Sequence, residues 1–81
     1  MTNLEKYKSS FITAFELDKS SSELENLEYQ SIVEWDSVGH MGLVAALEES
    51  FDIMLEMDDI VDLSSFKKGI EILEKNGVSF K

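Results

Sequence analysis

Hydrophobic residues recur at helical spacing near the start of the chain. Each lies three or four residues from another, and together they are Leu4, Tyr7, Phe11, Ala14 and Phe15. These intervals place the five side chains on one stripe of an α-helix, which can face a core. The pattern predicts a first helix from about Asn3 to Leu17.

The next segment, from Asp18 to Asp36, is polar and rich in serine. Its scattered apolar residues have no helical period, and they are Leu24, Leu27, Tyr29, Ile32 and Val33. A connection of this length with its own apolar residues is typical of an ordered loop. We expect those residues to pin the loop to the core, with a short turn of helix at most.

A second amphipathic helix is predicted from Ser37 to Phe51. Its apolar side chains at intervals of four are Leu43, Leu47 and Phe51. The first half also contains Gly39 and Gly42, and each glycine costs a helix interior about 1 kcal/mol relative to alanine. Something other than helix propensity must therefore explain these two glycines.

Two shorter helices complete the chain. Met57 to Asp62 fits a short third helix, and Ser64 or Ser65 can cap a fourth. One face of that fourth helix carries Phe66, Ile70 and Leu73. Asn76-Gly77 provides its stop.

The predicted fold class is therefore all-α, with four helices, a long loop between the first two and a short third helix. No proline, internal repeat or change of composition suggests a second domain, so we expect one domain over residues 1–81. Residues assigned to its core from the second helix onward are Leu43, Leu47, Phe51, Ile60, Leu63 and Ile70.

Size and composition limit the function. A chain of 81 residues without cysteine offers no thiolate nucleophile and no room to enclose a large substrate, so we expect no catalysis of its own. No signal peptide and no apolar stretch near the roughly 20 residues that span a bilayer are visible. These features favour a cytoplasmic protein without membrane insertion.

The chain is strongly acidic, with a formal net charge of −10. Such a surface repels nucleic acids and anionic lipids. Twelve of the 17 acids lie between Glu23 and Asp62, where there is no Lys or Arg. This middle segment would attract a protein partner with a basic surface, although acidity also serves solubility alone.

The segment with the most chemical content is the Asp36-Ser37 pair, where the loop meets the second helix. The first N–H groups of a helix lack internal partners, and its dipole favours an anion there. A phosphate ester on a first-turn serine would therefore be well placed. The simpler interpretation is that Asp36 or Ser37 only caps the helix.

Asp36-Ser37-Val38 resembles the Asp-Ser-Leu motif of acyl carrier proteins. The segment Ala46–Asp52 resembles the acidic end of that family's second helix, and Leu63-Ser64-Ser65-Phe66 followed by Ile70 is similar to the entry into its last helix. These segments follow one another in the family's order and spacing, so the resemblance covers nearly the whole chain.

The resemblance implies an acyl-carrier-like four-helix bundle. A phosphopantetheinyl transferase would move a 4'-phosphopantetheine arm from coenzyme A onto Ser37, next to Asp36, and acyl groups would ride on its thiol as thioesters. Acyl-transferring or condensing enzymes with basic surfaces would then be partners of a monomeric carrier. By the same resemblance, the partner-facing residues are Val38, Met41, Glu48, Glu49, Asp58 and Asp59.

Some positions differ from the fatty acid carriers of that family. Gly39 and Gly42 stand where those carriers commonly have acids, while Trp35 and His40 are closer to stand-alone carriers of specialised pathways. Both fatty acid and polyketide-like biosynthesis therefore stay open. His40 lacks an evident orienting partner in the sequence, so we interpret it as a surface or packing residue rather than a base.

Other functions are compatible with parts of the pattern. An aminoacyl or D-alanyl carrier would share the fold, the serine and the acidity. An unmodified acidic helical module that binds a basic protein would use Asp36-Ser37 only as a cap. A calcium site at Asp58, Asp59 and Asp62 is disfavoured, because the alternating ligands and the glycine of an EF-hand loop are missing.

Overall fold

A computed structural model describes residues 2–17 and 24–80 of the chain. Helix α1 spans Asn3–Phe15, a 3₁₀ turn spans Leu24–Asn26, and three further helices follow: α2 at Ser37–Phe51, α3 at Met57–Asp62 and α4 at Phe66–Lys75. The all-helical prediction is confirmed for the described residues, which contain one isolated antiparallel bridge between Glu28 and Ser65 and no β-strand.

The helix ends follow local capping chemistry. Helix α1 ends before the expected Leu17 because Glu16 takes a left-handed conformation, with φ of 54°, and closes the helix. Ser65, rather than Ser64, caps α4 by accepting a hydrogen bond from the Lys68 N–H at 3.0 Å. Residues 18–23 of the predicted loop lie outside the described residues.

Five aromatic side chains form the centre of the core. Each is at most 1% exposed, and they are Tyr7, Phe11, Phe15, Trp35 and Phe66. Their rings meet either edge to face or tilted, and Phe11 and Trp35 meet edge to face with centroids 5.5 Å apart. Such pairs contribute about 0.5–1.5 kcal/mol each beyond the burial of their area. The aromatic cluster therefore joins α1, the loop and α4.

The residues assigned to the core divide into two groups. Leu43, Leu47 and Leu63 are buried, as predicted. Phe51, Ile60 and Ile70 are only half-buried at the edge of the core, so their assignment to its interior was wrong. Phe51 is the last residue of α2, and the Lys6 ammonium lies over its ring, 4.9 Å from the centroid.

The loop before α2 is held differently from the prediction. Leu24 and Leu27 are buried and Ile32 packs against the core, as predicted. Tyr29 is 38% exposed and meets Trp35 edge to face, while Val33 is 89% exposed and does not pin the loop to the core. Trp35 does so instead, with 0% exposure. The chain turns tightly before it, since the Gln30 N–H donates to the Trp35 carbonyl at 3.0 Å.

The two glycines of α2 have different explanations. A Cβ at Gly39 would overlap the backbone carbonyl oxygen of Glu34 and would lie 3.3 Å from the Phe15 ring. The loop thus passes against the first turn of α2 at a distance that only glycine permits. A Cβ at Gly42 would meet no atom within 4 Å, so packing does not require glycine there.

This contrast gives a matched pair of substitutions. We expect Gly42→Ala to stabilise the protein by about 0.5–1 kcal/mol, because alanine is the better helix former and meets open space. We expect Gly39→Ala to destabilise it by about 1–3 kcal/mol, because backbone must move to make room. Urea unfolding followed by circular dichroism measures both. Equal effects of the two alanines would contradict the loop geometry.

Candidate functional site

Asp36 is the N-cap of α2. Its backbone is extended, and its Oδ1 accepts a hydrogen bond from the Gly39 N–H at 2.8 Å. This bond satisfies one of the unpaired donors of the first turn and places a negative charge at the positive end of the helix dipole. The cap expected at Asp36 or Ser37 is therefore made by Asp36.

Ser37 is the first residue of α2 and is exposed. Its Oγ lies 3.2 Å from the hydroxyl of Tyr29, and either oxygen can donate in that contact. Since Asp36 makes the cap, the Ser37 hydroxyl is not committed to the helix end. An exposed primary alcohol at a loop-helix junction can accept a transferred group from another protein.

His40 lies one turn further along α2 and has two hydrogen-bond partners. The Trp35 indole N–H donates to its Nδ1 at 2.9 Å, and its Nε2 lies 2.8 Å from the Ile60 carbonyl oxygen. Because Nδ1 accepts, Nε2 must carry the proton and donate to that carbonyl. His40 thus connects the loop, α2 and α3, and both ring nitrogens are occupied. These partners, 5 and 20 positions away, are not evident from the sequence.

A groove opens beside this connection. It has a volume of about 240 Å³ and is lined by Tyr29, His40, Ile60, Val61, Leu63 and Ser64. Tyr29 and His40 relate it to the serine, since Tyr29 contacts Ser37 and His40 lies on the same helix three residues later. The groove and the exposed serine therefore share Tyr29, whose hydroxyl contacts Ser37 and whose side chain lines the groove.

Large apolar side chains face solvent at two places, just after Ser37 on α2 and on α3. Val38 is 82% exposed and Met41 is 54% exposed. The partner-facing role expected for both stays a prediction. On α3, Met57 and Val61 are each 73% exposed. Exposed apolar side chains of this number are a common feature of protein-binding surfaces.

The acidic residues expected to face partners do not all do so. Glu49 and Asp58 are exposed. Glu48 is half-buried, and its Oε2 accepts a hydrogen bond from the Leu55 N–H at 2.9 Å, so it holds the segment that follows α2. Asp59 is only 3% exposed and therefore lies inside the fold. The partner-facing assignment was therefore wrong for Asp59, whereas Glu48 is partly exposed and its assignment stays a prediction.

Asp59 joins α3 to the end of α4. Its Oδ1 lies 2.5 Å from the Lys75 Nζ, and its Oδ2 accepts a hydrogen bond from the Asn76 side-chain amide at 3.2 Å. The hydrogen bonds from Lys75 and Asn76 lower the pKa of Asp59 below its ordinary value. Asp59 in turn raises the pKa of Lys75.

The same contacts bear on metal binding. Within residues 2–17 and 24–80, no group of three His, Cys, Asp or Glu side chains is arranged to hold a metal ion. Of the three acids that suggested calcium, Asp59 is turned to Lys75 and Asn76. Both oxygens of its carboxylate are therefore occupied by hydrogen-bond donors of the protein.

No protein-family model, curated protein or solved structure matches the chain. None of the helices formed by the described residues is long and apolar enough to cross a membrane. The resemblance to acyl carrier proteins therefore remains a prediction, and the function is inferred from the residues and their geometry.

Two substitutions of Asp36 distinguish the stability contributed by its capping hydrogen bond from the stability contributed by its charge. We expect Asp36→Ala to lower the free energy of unfolding by about 1 kcal/mol, because the Gly39 N–H loses its acceptor. Asp36→Asn should change stability much less, because the amide oxygen also caps. Urea unfolding compares the two. Equal losses in both variants would mean that Asp36 acts through its charge.

The Asp59 contact predicts a pH dependence of stability. Because the pKa of Asp59 is lower in the folded than in the unfolded chain, its contribution is full above the ordinary aspartate pKa of about 3.9 and is lost as pH falls through the folded value. We therefore expect Asp59→Asn to lower the urea midpoint at pH 7, and the gap from the unsubstituted protein to close in acid.

Asp58→Asn is the matched control, because it removes the same charge from an exposed neighbour. Its urea midpoint should stay close to that of the unsubstituted protein throughout the titration, since surface charges contribute little. A gap for Asp59→Asn that persisted unchanged into strong acid would show that the lost stability comes from packing and not from the ionised contact.

Proposed function

We propose that the protein is an acyl carrier, with Ser37 as the attachment point of a 4'-phosphopantetheine arm. The observation that carries the proposal is the exposed Ser37 hydroxyl at the start of α2, left free of the capping role by Asp36. The order of two long helices, a short third helix and a final helix supports an acyl-carrier-like bundle.

Attachment needs only a nucleophilic oxygen from this chain. A phosphopantetheinyl transferase binds coenzyme A, and the Ser37 Oγ attacks the phosphorus next to pantetheine. The Oγ–P bond forms, the P–O bond to the departing adenosine nucleotide breaks, and the serine proton passes to the transferase or to water. The residues around Ser37 fit this role, because Oγ is exposed and the Tyr29 hydroxyl is close to it.

Ser37 is the acceptor of the group rather than a catalyst. A hydrolytic serine needs a nearby base that removes its proton. His40 lies one turn from Ser37, but its Nδ1 accepts from Trp35 and its Nε2 faces the Ile60 carbonyl. The protein therefore positions and presents the cargo, and partner enzymes make and break its bonds.

The arm supplies a thiol that carries acyl groups as thioesters. The chain has no cysteine of its own, so this thiol would be the reactive one that the protein presents. Such a carrier would work in the cytoplasm, where coenzyme A is found and thiols stay reduced. Fatty acid and polyketide-like synthesis are the cargo pathways that the resemblance implies.

Partner enzymes would dock on the surface formed by α2 and α3. Val38 and Met41 provide exposed apolar contacts beside Ser37, and methionine adapts to different partner shapes. Glu49 and Asp58 add exposed negative charge, which attracts enzymes with basic surfaces. Asp59, which is buried, is excluded from this surface.

Intact-mass measurement tests the attachment. The protein is incubated with coenzyme A, magnesium and a broad-specificity phosphopantetheinyl transferase. We expect a mass gain of one phosphopantetheinyl group, and we expect Ser37→Ala to abolish it with circular dichroism nearly unchanged, because Ser37 does not cap the helix. Ser64→Ala, which removes another exposed serine, should still be modified.

No mass gain with several transferases would contradict the proposal. The exposed apolar and acidic side chains of α2 and α3 would then belong to an acidic helical module that binds a basic protein. A mass gain that survived in Ser37→Ala would place the arm elsewhere and would reject the site.

A further inference from the structure

Tyr29 is the residue whose role the proposed function leaves unexplained. It lies in the loop before α2, and its side chain is 38% exposed, with the hydroxyl 3.2 Å from the Ser37 Oγ. That oxygen is the atom that would become the ester oxygen of the arm. A group attached to the Ser37 Oγ would therefore lie close to the Tyr29 hydroxyl.

The position of Tyr29 is fixed by its backbone and by its ring. Its N–H donates to the Ser64 carbonyl at 2.8 Å, and the following residue, Gln30, takes a left-handed conformation with φ of 66°. The ring meets Trp35 and His40 edge to face, with centroids 6.4 and 5.5 Å away. The hydroxyl is thus held near Ser37 rather than swinging freely.

At the start of α2, a phosphodiester on Ser37 would lie beside the Asp36 side chain, which caps the helix. The Gly39 N–H is already bonded to Asp36, and the Asp36 carboxylate places negative charge beside any phosphate on the next residue. A neutral hydroxyl near Ser37 would donate a hydrogen bond to the phosphate without adding negative charge. Tyr29 provides that group, and hydrogen bonds to ionised oxygens are stronger than neutral ones.

The Tyr29 ring also forms one wall of the groove of about 240 Å³ beside α3. Val61 and Ile60 also line this groove, and the apolar carbons next to the phosphate of a pantetheine arm match such side chains. An arm bonded to Tyr29 at its phosphate would lie beside this groove.

We propose that Tyr29 binds the phosphodiester of the arm through its hydroxyl and directs the arm into the groove between the loop and α3. This inference rests on the proposed function. Tyr29 contacts Ser37 in the unmodified protein and exchanges that contact for a phosphate oxygen after modification. The covalent chemistry is unchanged, since Tyr29 neither gives up nor takes a proton.

Nuclear magnetic resonance of the modified protein tests the inference. We expect the unsubstituted carrier to show nuclear Overhauser contacts between the Tyr29 ring protons and the methyl groups next to the phosphate. Tyr29→Phe keeps the ring and removes only the hydroxyl. We expect it to shift the ³¹P resonance and to reduce the ratio of docked to free arm about fivefold, the factor that one net hydrogen bond is worth.

Thr13→Val is the matched control, because it removes an exposed hydroxyl from α1 and leaves Tyr29 and Ser37 untouched. Its ³¹P resonance and ring contacts should equal those of the unsubstituted carrier. Fluorescence of Trp35, the single tryptophan, checks that each variant keeps the loop folded.

The outcomes separate this inference from the proposed function. If the protein takes up the arm but Tyr29→Phe leaves the ³¹P resonance and the methyl contacts unchanged, the proposed role of Tyr29 is overturned. The carrier function would stand in that case. A protein that takes up no arm in the mass measurement overturns both.

Discussion

Trp35 stands directly before the Asp36-Ser37 pair and has no exposed surface, so the loop must enter the core immediately before α2 begins. The indole packs between the rings of Phe11 and Phe15. Leaving its N–H without a partner at this depth would cost about 1–3 kcal/mol, and the His40 ring supplies the acceptor. The buried indole thereby fixes where α2 starts and leaves the next residues at the surface.

Other features of the site follow from that anchor. When the loop is drawn inward at Trp35, the Glu34 carbonyl comes against the first turn of α2, and only glycine fits at position 39. The same geometry lets Asp36 reach the Gly39 N–H. The exposure of Ser37 is therefore a consequence of burying the residue two positions earlier.

Helix α3 depends on tertiary contacts more than the others do. A helix of six residues is too short to be stable alone, and its N-cap, Glu56, makes no side-chain cap bond. It is held by the His40 bond to the Ile60 carbonyl and by Asp59, which bonds Lys75 and Asn76. His40 and Ile60 also line the groove beside Tyr29, so their hydrogen bond contributes both to packing and to the geometry of the site.

The local parts of this architecture were predictable from the sequence, and the long-range parts were not. Apolar spacing indicated the four helices, and the Asp36-Ser37 pair indicated the start of α2, because both signals lie within a few residues of what they determine. Asp59 is different, since its partners are 16 and 17 positions away and nothing nearby marks it as buried.

The loop shows the same limit. Val33 and Trp35 are both apolar, yet Val33 is 89% exposed and Trp35 is buried. The tight turn around Gln30 decides which of the two side chains turns inward, and a left-handed glutamine is not visible in an apolar pattern. His40 likewise acquired its partners only when Trp35 and Ile60 came together in space.

The exposed face of α2 is poorly explained by stability alone. Gly42 costs the helix about 1 kcal/mol and is not required by packing. Val38 and Met41 leave apolar area in water, and the spacing of these three residues places them on one side of the helix. A chain selected only for stability would carry alanine and charged residues at these positions.

A surface that meets other proteins accounts for the same features. A helix face with a glycine lets another backbone come close, and exposed apolar side chains gain free energy when a partner covers them. This face begins at Ser37, so an enzyme that covers it would also be next to whatever the serine carries. The residues that lower the stability of α2 therefore lie beside Ser37, where the proposed function requires a partner enzyme to bind.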